Sequence, residues 1–130
     1  MHYKKMKLDL DRNIDGTNRI HSYAAGSIVI ADTTYKSSLI LTSDAIIDDW
    51  QPENISQLTT DDLDQIIELD PELVVLGTGV RLQFPELEIT MAFHSRNIGV
   101  EVMDTGAACR AFNFLAGEGR KVVAALFVIE

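Results

Sequence analysis

The tripeptide Asp104-Thr105-Gly106 consists of the residue types that carry the catalytic carboxylate in aspartic proteases. In those enzymes two carboxylates share one proton, so a chain of 130 residues would need a symmetric dimer to build the pair. Here the tripeptide leads into a helical pattern, because apolar residues recur at i, i+4 and i+7 from Ala108. Asp104 or Thr105 is placed to cap that helix by accepting a hydrogen bond from a first-turn N–H. The pattern favours a helix cap over a protease site.

A second glycine-containing loop, Gly77-Thr78-Gly79, directly follows an apolar segment. Glycines at the end of a strand allow positive φ and a close backbone approach, which phosphate-binding loops use. The third glycine of the GxGxxG pattern is absent, because Leu82 occupies its position, and no Gly-Lys-Ser/Thr follows. The spacing therefore favours a tight strand-to-helix turn over a nucleotide site.

Both loops are predicted to follow strands that a right-handed crossover makes neighbours, and open α/β sheets bind ligands in such crevices. On the helix after the second loop, Arg110 and Asn113 share a face with Gly106 and Gly117. This pair could receive an anion, or could bridge to a sheet carbonyl and to Glu101. We favour the structural role, because no catalytic partner is evident. The residues predicted to form a crevice or an interaction surface are Gly77, Thr78, Gly79, Arg81, Glu101, Asp104, Thr105, Arg110 and Asn113.

Cys109 is the only cysteine, and it falls in the first turn or so of the predicted helix, where the helix dipole lowers the pKa of a thiol. It also lies beside Ala108 on the apolar stripe, which is typical of a small core residue. The sequence places none of His2, His21 and His94 beside it as a general base. We therefore assign no catalytic residue and no cofactor, and these patterns favour a protein that is not an enzyme.

Residues 11–16 (DRNIDG) match the first half of a calcium-binding loop, with oxygen ligands at alternate positions and glycine at the sixth. The twelfth position is Ser22, where such a loop needs a bidentate glutamate. A polar turn explains the segment better than a metal site does.

These loops must be positioned by regular elements, and the two halves of the chain predict different ones. In the first half, short apolar runs bounded by polar and glycine residues indicate strands. A helix is expected from Thr59, with Asp62 completing a capping box, to the stop at Asp70-Pro71. The strands predicted in this half are residues 20–24, 27–31, 37–42 and 45–50, with Ala25-Gly26 as a hairpin turn.

The second half predicts a βαβαβ unit with a parallel pair of strands. Its first strand is apolar throughout, as expected when helices cover both faces of a sheet. The elements are a strand at 72–77, a helix from Pro85 to Asn97 or Gly99, a strand at 100–103, a helix from Thr105 to about Ala116, and a final strand in KVVAALFVIE.

Composition limits the class of protein and of partner. The chain is 46% hydrophobic and 24% charged, which is typical of one globular domain spanning residues 1–130. Its net charge of −9 repels nucleic acid and anionic membrane surfaces. No apolar run is long enough to insert into a membrane, no secretory signal or transit peptide is recognisable, and a single cysteine suits a reducing compartment. We expect a cytoplasmic protein.

Two segments, ELVVLGTG at 72–79 and GVEVMDTGAACRAFNFLAGEGRKVVAAL at 99–126, resemble a small uncharacterised α/β family found in bacteria and archaea. Its eukaryotic members include the mitochondrial complex I (NADH:ubiquinone oxidoreductase) assembly factor three. Ala111 and Phe112 stand where the family usually has Thr-Tyr, which argues against chemistry by those side chains. The resemblance extends to GSIVI and the Trp50 region, and the matching positions are Gly77 to Gly79, Glu101, Met103, Thr105, Ala108, Arg110, Asn113 and Glu118 to Arg120.

The resemblance implies an α/β fold of three layers: a central mixed sheet with a C-terminal βαβαβ unit flanked by helices, and an additional N-terminal β layer. It also implies an interaction or assembly protein that is not an enzyme and whose partner is another protein. We expect the partner to bind around the Arg110 face. The alternative is a protein that binds a small molecule or anion, or an enzyme that acts on one, in the crevice at the carboxyl ends of the strands.

Overall fold

A mixed five-stranded sheet lies at the centre of the fold. The computed structural model describes residues 17–128, so the calcium-like segment at residues 11–16 lies outside the described part of the chain. The short 3-10 turns Ile55–Gln57 and Thr60–Leu63 precede the first helix. In chain order the strands and helices are β1 (Ile20–Ala24), β2 (Ser27–Ile30), β3 (Thr33–Tyr35), β4 (Leu39–Leu41), β5 (Ile46–Ile47), α1 (Asp64–Ile67), β6 (Leu73–Gly77), α2 (Leu87–His94), β7 (Gly99–Met103), α3 (Thr105–Gly117) and β8 (Val122–Leu126).

The central sheet has the strand order β5-β4-β8-β6-β7. Strand β6 pairs in parallel with both β7 and β8, whereas β4 is antiparallel to β8 and to β5. The first three strands form a separate antiparallel sheet in the order β1-β2-β3. The predicted fold class is confirmed, including the central mixed sheet, the βαβαβ unit and the additional N-terminal β layer.

The two longer helices of the βαβαβ unit cover opposite faces of the central sheet. Helix α2 contributes Ile89 and Phe93 to one buried cluster, and α3 contributes Ala108 and Phe112 to the other. Strands β7 and β8 lie on opposite sides of β6, so the connection from β6 to β7 and the connection from β7 to β8 run in opposite directions across the sheet. Because such connections are right-handed, their helices lie on opposite faces. This explains why β6, covered on both sides, is apolar throughout.

The N-terminal sheet packs on the same side of the central sheet as α3. Ile20, Ile28 and Ile30 belong to the buried cluster that contains Phe112. Each of these isoleucines is less than a tenth exposed. The third layer is therefore shared by a helix and a small sheet, and the contact between them determines where β1 lies.

The structure differs from the predicted elements where tertiary contacts outweigh local pattern. The predicted strand at 45–50 is reduced to Ile46–Ile47. Downstream of it, Trp50 stacks on Phe127 with ring centroids 5.2 Å apart, and its indole N–H donates to the Asp62 carbonyl over 3.0 Å. A strand would carry Trp50 along the sheet, whereas leaving the sheet lets it fill the core.

Helix starts follow the sequence signals more closely than helix lengths do. The Asp62 carboxylate accepts the Thr59 backbone N–H over 2.8 Å, so the predicted start at Thr59 is confirmed, although the first turn is 3-10. Strand β3 was not predicted, because its turn uses Ala31 at φ 53°, a conformation that alanine rarely adopts.

Candidate functional site

The hydroxyl of Thr105 joins the segments that follow all three parallel strands. It donates to the Phe127 carbonyl over 2.6 Å and accepts the Gly79 N–H over 2.8 Å. The Thr105 N–H also donates to the Gly79 carbonyl over 2.9 Å. These hydrogen bonds bring the two glycine-containing loops into direct contact, and Thr105 is fully buried there.

Gly77 is required by the close packing of α3 against the end of β6. A Cβ at this position would lie 3.0 Å from Ala108 Cβ and 3.0 Å from Thr105 Cα, tighter than such contacts normally are. Gly79 instead has a φ of 106°, which favours glycine, although a Cβ added there would meet no atom within 4 Å. One glycine therefore allows close packing, and the other allows the turn.

Thr78 shapes the loop that presents Arg81. Its backbone N–H donates to the Met103 carbonyl over 2.9 Å, which extends the pairing of β6 with β7. Its hydroxyl donates to the Arg81 carbonyl over 2.6 Å and accepts the Gln83 N–H over 3.1 Å. The hydroxyl is thus engaged in holding the turn.

Asp104 caps α3, as the sequence predicted. Its Oδ1 accepts the Ala107 N–H over 2.8 Å. The carboxylate therefore serves one of the first-turn N–H groups that a helix leaves without an intrahelical acceptor.

The face of α3 that carries Arg110 and Asn113 packs against β1. Asn113 accepts the Ile20 N–H over 2.8 Å and donates to the Ile20 carbonyl over 2.9 Å, so its amide pairs with the strand backbone. The Arg110 guanidinium donates to the Tyr23 hydroxyl and lies 5.9 Å from the centroid of that ring. Glu101 is exposed on β7 and, within residues 17–128, forms no ion pair with Arg110. Asn113 thus holds the N-terminal sheet rather than a strand of the central sheet.

A crevice of about 620 Å³ opens beside the loop Gly77-Thr78-Gly79. Thr78, Gly79 and Arg81 line it together with residues 36–38, which precede β4. Of the nine residues predicted for the site, these three are the ones that reach it. Lys36 and Ser38 were missed by sequence reasoning, because they lie some forty positions from the loop along the chain and no local pattern connects them.

An exposed apolar segment, residues 80–91, begins at the rim of this crevice. Val80, Leu82, Phe84, Leu87 and Met91 are each at least half exposed, from 50% for Leu82 to 75% for Phe84. Val80 also lines the crevice. The signal in the sequence was the alternation of apolar and polar residues between Gly79 and Pro85, a strand-like pattern where the chain leaves the sheet.

Cys109 is a core residue. It is 1% exposed and belongs to the buried cluster that includes Ala108. Burial raises the pKa of its thiol to about 12, an effect that the nearby Arg110 charge opposes. Because the thiolate is the nucleophilic form, this environment works against reactivity.

Within residues 17–128, no group of three or more His, Cys, Asp or Glu side chains is placed to hold a metal ion. Over the same residues, no helix is both long enough and apolar enough to cross a membrane.

The fold and these strand-end loops define a small α/β protein with a βαβαβ unit and an N-terminal β layer. The chain belongs to the family described as Protein of unknown function (DUF498/DUF598), whose model matches residues 20–127. It is 35% identical over 109 residues to the NADH dehydrogenase (ubiquinone) 1 alpha subcomplex assembly factor 3 of Danio rerio, a match covering 82% of this chain. The chain spans 62% of the length of that relative.

A bacterial relative, named 13 kDa major membrane protein in Francisella tularensis, is 28% identical over 77% of this chain and 82% of its own length. The fold is also shared with a crystal structure of a Bordetella parapertussis protein, at 30% identity and a TM-score of 0.81. That match covers 86% of this chain and 96% of the other.

Replacing Thr105 with valine should lower the free energy of unfolding by about 2–4 kcal/mol, because it leaves the Gly79 N–H and the Phe127 carbonyl without a partner. Thr105→Ser keeps the hydroxyl and should lose less than half as much. Urea unfolding of the three proteins measures both effects. Equal losses in the two variants would contradict this assignment, because the methyl group would then contribute as much to stability as the hydroxyl does.

Asn113→Ala should lower the free energy of unfolding by about 1–3 kcal/mol, because the Ile20 N–H and carbonyl both lose their side-chain partner. Phe114→Ala is the control on the same helix, since Phe114 is 65% exposed, and it should change stability by no more than about 0.5 kcal/mol. Denaturant unfolding compares them. Faster amide exchange at Ile20 in Asn113→Ala alone is the expected local signature.

The Cys109 thiol should resist a thiol reagent in the folded protein and react completely after denaturation. Its pKa rises from an ordinary 9.0 to about 12 on folding, so above pH 9.0 the unfolded chain loses the thiol proton while the folded protein keeps it. Stability should therefore fall as pH rises between these values. Denaturant titrations should show a shallower fall for Cys109→Ala, and parallel pH profiles for the two proteins would contradict the assignment.

Proposed function

We propose that this protein is a non-enzymatic interaction protein of the assembly type, which binds another protein through the apolar segment at residues 80–91. The observation that carries the proposal is the exposure of five large apolar side chains in that segment. Soluble proteins seldom expose large apolar patches unless another molecule covers them.

The outer side of α2 contributes to this surface. Leu87 and Met91 are one helical turn apart and both are exposed, whereas Ile89 and Phe93 of the same helix are each 1% exposed. The helix thus has an apolar face for the core and a second apolar side directed away from it. A helix whose contacts were complete within this chain would carry polar residues on that side.

The names of relatives agree with a role in assembly. The Danio rerio relative is named as an assembly factor of NADH dehydrogenase, and we extend the general role, binding proteins during assembly, to this chain. We do not extend its target, since the chain spans 62% of that relative. The cytoplasmic location expected from the sequence stays a prediction.

The structural hydrogen bonds that the polar side chains already make support a role without catalysis. Thr78 and Thr105 hold turns, Asp104 caps a helix, and Asn113 pairs with the backbone of β1. Groups engaged in this way are not available to accept or deliver a proton to a substrate without loss of structure.

The Arg110 face expected from the sequence is the weaker of two candidate surfaces. It carries Phe114, which is 65% exposed, and Tyr23, which is 37% exposed and already contacts Arg110. The segment at residues 80–91 offers five exposed apolar side chains, so more apolar area is available for a partner to cover.

Replacing Phe84 and Met91 together with serine should remove partner binding without unfolding the protein, because both side chains are more than half exposed. The control is Phe114→Ser, which changes a similarly exposed phenylalanine on α3. Quantitative affinity purification from native lysate is the measurement. Proteins that copurify with the unsubstituted chain and with the control should fall about tenfold or more with the double variant.

The same proteins at the same yield in the double variant would show that this segment is not the interface. Loss in the Phe114→Ser control alone would place the interface on the Arg110 face. The absence of any reproducible partner would contradict the interaction role itself.

A further inference from the structure

The crevice beside the apolar segment is lined by basic side chains without a partner. Within residues 17–128, Lys36 and Arg81 form neither a side-chain hydrogen bond nor an ion pair, and both line the crevice. The other lysine and arginine side chains of the described chain all have such a contact: Arg19, Arg96, Arg110, Arg120 and Lys121. The chain has a net charge of −9, so acidic partners for a cation are plentiful. Two cations in one crevice without a partner among the described residues are therefore unusual.

A buried serine in the same crevice also lacks a side-chain partner. Ser38 is 4% exposed and lines the crevice, and within the described residues its hydroxyl forms no hydrogen bond. The other polar residues buried in that part of the chain, Thr78 and Thr105, are both hydrogen-bonded. Among the described residues, the one fully enclosed side-chain atom without a hydrogen bond is an Arg19 nitrogen, so the Ser38 hydroxyl is accessible from the crevice and can donate a hydrogen bond to a group that enters it.

The charges around the crevice indicate which kind of anionic group it can bind. Lys36 and Arg81 are opposed by Glu53, the one acidic residue among the described residues of the lining, so a single positive charge remains. One carboxylate balances that charge, whereas a phosphate dianion would exceed it. A carboxylate can also accept hydrogen bonds from a guanidinium, an ammonium and a hydroxyl at once.

The surroundings of the crevice indicate what carries the carboxylate. Val80 lines the crevice and is the first exposed residue of the apolar segment, so the crevice adjoins the start of that segment. A free carboxylate would leave that surface uncovered, but a polypeptide can cover it while placing one acidic side chain in the crevice. Arginine contacts beside apolar anchors are typical of the residues that dominate interface affinity.

We propose that the crevice receives an aspartate or glutamate side chain of the partner protein, held by Lys36, Arg81 and Ser38, while apolar residues beside it cover residues 80–91. This inference rests on the proposed function and specifies the chemistry of the partner. The partner segment is apolar and contains one acidic residue.

Selection from a random peptide library displayed on phage tests the proposal. The unsubstituted protein and the control Arg96→Gln, which removes the same kind of charge elsewhere on the surface, should enrich peptides with an acidic residue flanked by apolar ones. The double variant Lys36→Gln, Arg81→Gln should bind those peptides about tenfold more weakly. Lys36 and Arg81 are exposed and, within residues 17–128, unpartnered, so the variant should fold as the unsubstituted protein does.

A double-mutant cycle then isolates the pairing. Changing the acidic residue of an enriched peptide to its amide should weaken binding to the unsubstituted protein about tenfold and leave binding to the double variant unchanged. Equal binding of acid and amide peptides, or no enrichment of acidic peptides, would overturn the proposal. If butyrate, a monocarboxylate that resembles a glutamate side chain, binds as tightly as the peptides do, the crevice is a small-molecule site and the proposal is also overturned.

These outcomes differ from a failure of the proposed function. Peptides that bind without regard to their charge but are lost in the Phe84→Ser, Met91→Ser variant would leave the apolar interface standing and remove only the acidic anchor. Peptides that are insensitive to both double variants would contradict both proposals.

Discussion

The fold depends on the hydroxyl of Thr105, which bonds to the Gly79 N–H and to the Phe127 carbonyl in a fully buried position. With it, the segments that follow β6, β7 and β8 converge on one side chain. A buried backbone group without a partner costs about 1–3 kcal/mol, so these two bonds are strongly favoured over any opening of the loops. Gly77 allows this arrangement, because it lets α3 approach the end of β6 closely.

The hydrogen bonds of Thr105 also determine which polar groups of the loops remain available for contact with other molecules. They use the polar groups of both glycine-containing loops internally and turn the chain after Gly79 outward. The exposed apolar side chains of residues 80–91 follow the first of these loops, and Val80, the first of them, lines the same crevice as Lys36 and Arg81. The hydrogen bonds of the two loops and the exposed apolar segment thus belong to one structural arrangement.

Much of the second half of the fold was predictable, because its signals are local. A strand buried on both faces is apolar throughout, as in β6, and a helix cap such as Asp104 stands next to the helix that it serves. The elements that the sequence did not predict correctly differ for physical reasons. Strand β3 follows a turn with Ala31 in a left-handed conformation, and the strand expected at residues 45–50 ends early so that Trp50 can stack on Phe127.

The sequence by itself determined the α/β class, the order of most elements and the helix caps, and it singled out Arg110 and Asn113 as candidate site residues. Only the tertiary structure decided what those two residues do. The partners of Asn113 and Arg110 lie 93 and 87 positions away along the chain, in β1. Lys36 and Arg81 likewise line one crevice although they lie 45 positions apart in the sequence, and the pairing of β4 with β8 places the segment that carries Lys36. Periodicity and capping reflect forces between near neighbours in sequence, whereas a binding surface depends on which distant segments the core packing brings together.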